Sequence, residues 1–110
     1  MNIYDTANNL AREIKESEEY KNFYNIKKEI YEDSERKQKL ENFEKLRYEV
    51  QLQTMQSGTQ NQEKLDKLQE EYTSLVSDEK IRQYFEYETK FNVIIADVNK
   101  IIAEAVKDIL

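Results

Sequence analysis

Proline is absent from this 110-residue chain, and glycine occurs once, at Gly58. Almost every backbone position therefore carries a residue that a helix accepts, because an interior proline costs a helix about 3 kcal/mol and an interior glycine about 1 kcal/mol. Strand-rich folds need more glycine and proline at their turns than this chain has. Glu, Lys, Gln and Leu are abundant while Val and Thr are sparse, which favours helix by propensity as well. The expected class is all-α: one helical domain over residues 1–110, a bundle of about five helices with a long C-terminal helix and a helical hairpin around Gly58.

Apolar spacing divides the chain. Ile3, Ala7, Leu10 and Ile14 recur every three or four residues and line one side of a first helix. Ser17 then reads as an N-cap, with Glu18 and Glu19 at the positive end of the helix dipole. Tyr20, Phe23, Tyr24, Ile30 and Tyr31 form the apolar face of the second helix. Asp33-Ser34-Glu35 is the next cap, so a third helix begins near Ser34 with a seam of Leu40, Phe43, Leu46 and Val50, extending towards Met55. Gly58 suits its C-terminus, since glycine adopts positive φ without a Cβ penalty. Leu65, Leu68, Tyr72 and Leu75 define a fourth helix that returns antiparallel after a short connection.

Ser77 is the expected cap of the last helix, with Asp78 and Glu79 in its first turn. From there to Leu110 there is room for about 30 residues, or roughly 45 Å. Tyr84, Glu88, Phe91, Ile95, Val98, Ile102, Ala105 and Ile109 alternate spacings of four and three, which is the pattern of a coiled-coil seam. Glu88 is the only polar member, placed to set register or to pair with a lysine across an interface. Ile81, Phe85, Ile94, Ile101 and Val106 widen the stripe beyond a two-stranded seam, so it can serve two neighbours. The expectation is a homo-oligomer, a dimer or a larger assembly, built on these seam positions. A wholly intramolecular core helix is the alternative.

The residue types exclude much chemistry. With no cysteine there is no disulfide, thiolate nucleophile or cysteine-held cluster, and with no histidine the commonest metal ligand and general base is missing. Carboxylates such as Glu86, Glu88, Asp97 and Glu104 remain, but a helical di-metal site combines glutamates with Glu-x-x-His pairs. One glycine cannot build a phosphate-binding loop. The expectation is no enzyme activity, no catalytic residue, no metal and no cofactor.

Seventeen basic against twenty-three acidic residues give a net charge of −6, which opposes binding to phosphate backbones and anionic lipids. The densest basic group, Lys27, Lys28, Arg36, Lys37 and Lys39, is interleaved with Glu29, Glu32 and Glu35, as on a solvated, salt-bridged face. Weak RNA binding through that face is one alternative function, although the eight tyrosines have no basic groove to turn them into a stacking platform. Asp97, Lys100, Glu104 and Lys107 break the C-terminal apolar run at helical spacing, so it is not expected to span a membrane. Met1-Asn2-Ile3-Tyr4-Asp5 lacks the basic and apolar regions of a secretory signal, and a cytoplasmic location is expected.

Residues 50–62 carry no charge, and Gln51, Gln53, Gln56, Gln60 and Gln62 make the hairpin tip polar but neutral. A solvated tip is the simplest reading. A second is a partner-contact surface, since amides are cheaper to desolvate than charges, and a chaperone-like clamp that holds clients with this tip is another alternative function.

The order of these features resembles the YlbF/YheA/YmcA family of small bacterial helical proteins, and within it the YheA-like branch. The resemblance rests on Asn2-Ile3-Tyr4-Asp5-Thr6-Ala7, Ser17-Glu18-Glu19-Tyr20, Asp33 ahead of Phe43, the glutamine-rich stretch ending at Gly58, and Ile81, Tyr84, Phe85 and Val98-Asn99-Lys100-Ile101-Ile102. It implies a cytoplasmic helical protein that self-associates and acts through protein contacts, without known enzymatic activity. Relatives in the family join a multi-protein complex that assists RNA processing by RNase Y and affects competence, sporulation and biofilm formation. Those relatives use cysteines in an iron–sulfur assembly, and this sequence has none.

Overall fold

The computed structural model describes residues 2–110; Met1, the first residue of the stretch read above for a secretory signal, lies outside the described residues. Five α-helices follow one another: α1 (Ile3–Glu16), α2 (Glu18–Glu32), α3 (Ser34–Ser57), α4 (Gln62–Leu75) and α5 (Glu79–Val106). The all-α architecture expected from composition is the one observed.

Local chemistry explains each boundary. Asn2 caps α1 through its Oδ1, which accepts from the Tyr4 amide at 2.8 Å. Between α1 and α2, the Ser17 hydroxyl donates to the Ile14 carbonyl at 2.6 Å and accepts from the Tyr20 amide at 3.2 Å, closing one helix and opening the next. Asp33 caps α3 by accepting from the Glu35 and Arg36 amides. Gly58 ends that helix in the left-handed region at φ 71°. Asn61 then caps α4 by accepting from the Lys64 amide at 3.2 Å.

One boundary differs from the reading of Ser77 as the last cap. The Ser77 hydroxyl turns back to the Ser74 carbonyl at 2.6 Å and completes the exit from α4, while Asp78 accepts from the Lys80 amide at 3.1 Å. The helix therefore starts at Glu79, and it stops at Val106 instead of running to Leu110. Its last carbonyl is taken by the Ile109 and Leu110 amides in a closing turn.

The chain forms two compact units. The first comprises residues 1–26 and 84–110, and the second comprises residues 27–83. In the first, Ile26, Tyr84 and Phe85 are buried. Aromatic contacts knit α2 to α5 there: Phe23 lies 5.3 Å from Tyr84 and 5.9 Å from Phe91, centroid to centroid, and Tyr20 lies 5.9 Å from Phe91.

In the second unit the core is Ile30, Leu40, Phe43, Leu75 and Ile81. Here α3 and α4 pack as the hairpin foreseen around Gly58, with the Phe43 and Tyr72 rings 6.1 Å apart. Arg36 joins two helix caps: its Nε donates to Asp78 at 2.7 Å and its Nη1 reaches Asp33 at 3.3 Å. The core side of α2 also differs from the expected face. Ile26, absent from that face, is buried, while Tyr24 and Tyr31 stay exposed at its edge.

Candidate functional site

In the first unit, apolar side chains outnumber what the unit covers. No residue of α1 is buried, although Ile3, Ala7, Leu10 and Ile14 fall on one face as the spacing requires. Leu10 and Ile14 are half-buried, and Ile3 remains 76% exposed. The C-terminal part of α5 is similar: no residue after Phe85 is buried.

The expected seam of α5 divides by depth. Tyr84 is 4% exposed and lies against Phe23 and Phe85, so its ring serves the chain's own core and presents little free surface. Glu88, Phe91, Ile95 and Val98 are half-buried, Phe91 against Tyr20 and Phe23. Beyond them, Ile102 is 54% exposed, Ile109 is 84% exposed and Ala105 is open to solvent. Ile101, which widens the stripe, is 70% exposed. The helix thus buries its first turns and then presents isoleucines to water.

The glutamine-rich stretch is spread over three settings. Gln51, Gln53 and Gln56 lie in the last turns of α3, Gln60 in the connection, and Gln62 is the first residue of α4. All are exposed except Gln53, which is half-buried. What the sequence reading missed is the apolar content of the same region. Tyr48, Leu52 and Met55 are 63%, 38% and 81% exposed and recur at spacings of four and three. Met55, read above as an extension of the third helix's core seam, is therefore a surface residue. The signal was present in the spacing but hidden by the parallel Leu46 and Val50 series.

The basic group of the second unit is largely paired with its surroundings. Lys39 bridges to Glu35 at 3.2 Å, Lys37 to Glu41 at 4.0 Å, and Arg36 to Asp33 and Asp78. The Lys27 and Lys37 ammonium groups lie 5.7 and 5.9 Å from the Tyr31 ring centroid. These charges are spent on their neighbours, which suits a salt-bridged face better than a phosphate track. The Arg36 hydrogen bond holds the Asp78 carboxyl below its ordinary range, whereas burial, followed by the charges of Glu41 and Glu44, raises Tyr31.

Among the described residues, no group of three or more acidic side chains is placed to hold a metal ion, and no helix is long and apolar enough to cross a membrane. The geometry defines an all-α protein whose distinctive surfaces are exposed apolar helix faces. The family model described as "Control of competence regulator ComK, YlbF/YmcA" matches residues 3–107, and this chain belongs to that YlbF/YheA/YmcA family.

A UPF0342 protein of Alkalihalophilus pseudofirmus is 37% identical over 108 residues, covering 98% of this chain and 92% of its own. Another UPF0342 protein, from Clostridium novyi, is 36% identical over 108 residues, covering 98% of this chain and 95% of its own. Among solved structures, yheA from Bacillus subtilis superposes with a TM-score of 0.71 at 25% identity over the whole of both chains. A chain of the crystal structure of Bacillus subtilis RicA in complex with RicF superposes with a TM-score of 0.61 at 24% identity, covering 96% of this chain and 94% of the other. The last likeness is one of fold.

Proposed function

We propose that this protein is a non-enzymatic, self-associating adaptor or regulator that works in the cytoplasm through helix faces. The observation that carries the reading is the α5 stripe. Phe91, Ile94, Ile95, Val98, Ile101, Ile102 and Val106 follow Phe85 on that helix, and none of them is buried within the chain. Two copies meeting along this stripe would remove those side chains from water, and each buried large aliphatic is worth about 1.5–3 kcal/mol. Glu88, Phe91, Ile95, Val98, Ile102, Ala105 and Ile109 form the interface in this reading, with Tyr84 supporting it from within.

The family's description supports a regulatory role connected with competence. The experiment is light scattering at about ten micromolar chain. A mass of two chains or more, reduced to one by Ile102→Asp, agrees with the proposal; a wild-type monomer refutes it.

A further inference from the structure

We propose that the end of α3 is a second self-association surface, through which two copies pair antiparallel by Tyr48, Leu52 and Met55. It lies on the second unit and goes beyond the α5 interface. Two observations carry it, one apolar and one electrostatic.

The apolar observation is a stripe on the far side of α3 from α4. Leu40, Phe43, Leu46, Val50 and Thr54 are buried or half-buried on one side of the helix, and Phe43 meets Tyr72 of α4 there. At about 100° per residue, Tyr48, Leu52 and Met55 fall roughly half a turn round from that side. They are 63%, 38% and 81% exposed. The hydroxyls of this region add little desolvation cost, because Thr54 donates to the Val50 carbonyl at 3.0 Å and Ser57 to the Gln53 carbonyl at 2.8 Å.

Charge selects the occupant. Each copy carries −6, so contact between copies generally brings acidic surfaces together. Residues 50–62 have no charge, and this is the longest uncharged run of the chain. An antiparallel register that lays Tyr48 on Met55 of the other copy brings the two Leu52 side chains together at the two-fold axis. The same register places Glu44 and Lys45, which share that face of α3, level with Thr59 and Gly58 of the other copy, so no like charges face each other there. Tyr48 against Met55 is also a sulfur–aromatic pair, made twice by symmetry.

The area sets the strength. Three side chains per copy cover far less than the roughly 800 Å² per partner of a standard stable interface. The contact is therefore weak alone and forms only as concentration rises.

Because the chain has no cysteine, single introduced thiols report the contact without background. Leu52→Cys lies at the proposed axis, whereas Gln60→Cys lies in the connecting loop, at opposite ends of the antiparallel pair. Under mild oxidation, Leu52→Cys is expected to crosslink copy to copy at least tenfold faster than Gln60→Cys. Adding Met55→Glu should slow the Leu52→Cys crosslink severalfold while leaving far-UV circular dichroism unchanged. Equal rates at the two positions, or a Leu52→Cys rate insensitive to Met55→Glu, overturn the tip contact. Light scattering of Ile102→Asp decides the α5 interface separately, so failure of either surface is distinguishable from failure of the other.

Discussion

Replacing Ile102 tests the α5 interface with the least disturbance to the subunit, since this side chain is 54% exposed in the isolated chain. Truncation to alanine removes three carbons. At about 0.8 kcal/mol per fully buried methylene, scaled by the exposed half that only an interface would cover, the loss is about 1–1.5 kcal/mol per copy. A two-fold interface contains the site twice, so the pair loses about 2–3 kcal/mol, and the dissociation constant should rise roughly thirtyfold to a hundredfold. Aspartate adds an uncompensated carboxylate in each copy, at roughly 3 kcal/mol or more apiece, for a total beyond four orders of magnitude. Sedimentation equilibrium across about 1–100 micromolar resolves this graded series. An aspartate variant that keeps the wild-type mass, with unchanged helicity, refutes the assignment of this face.

Other outcomes follow from the subunit alone. Ile30 and Leu40 are fully buried, so Ile30→Ala or Leu40→Ala should cost about 2–5 kcal/mol in urea unfolding; under 1 kcal/mol would contradict the described core. Gly58→Ala forces a Cβ to φ 71°, and no atom lies within 4 Å of that added carbon, so the loss should be backbone strain alone, about 1–2 kcal/mol. Asp78 has a folded-state pKa lowered from 3.8, chiefly by its hydrogen bond to Arg36. Its contribution is therefore present above the unfolded value and lost as pH falls through the lowered one. Asp78→Asn keeps a capping side chain but not the charge, so its Tm should lie below wild type at neutral pH and approach it in acid. A constant gap down to about pH 2 would contradict the Arg36 pairing.

Helix identity and most helix ends were legible because they depend on neighbours in sequence. Ser17, Asp33 and Gly58 each act within four residues of themselves, through a hydroxyl, a carboxylate and a positive φ. Ser77 was misread for a related reason. Adjacent Ser77 and Asp78 are both competent caps, and the choice depended on which carbonyl of α4 needed a donor. Ile26 was missed because Tyr24 and Tyr31 suggested a broader aromatic face, and only packing showed which side of α2 turns inward.

The candidate surfaces were legible in composition but not in depth. Spacing placed Tyr84 and Ile102 on one stripe of α5, yet one is almost fully covered and the other is more than half exposed. The uncharged stretch at the hairpin was plain, but the exposure of Leu52 and Met55 within it, and of Tyr48 just before it, was not. Periodicity records the direction a side chain takes from its own helix and contains no information about what lies at the end of that direction. The sequence by itself therefore determined the class, the five helices and most of their caps, because these are set by propensity and by hydrogen bonds over a few residues. Tertiary structure decided which apolar residues the chain covers itself and which it leaves exposed, because burial depends on the packing of elements distant in sequence.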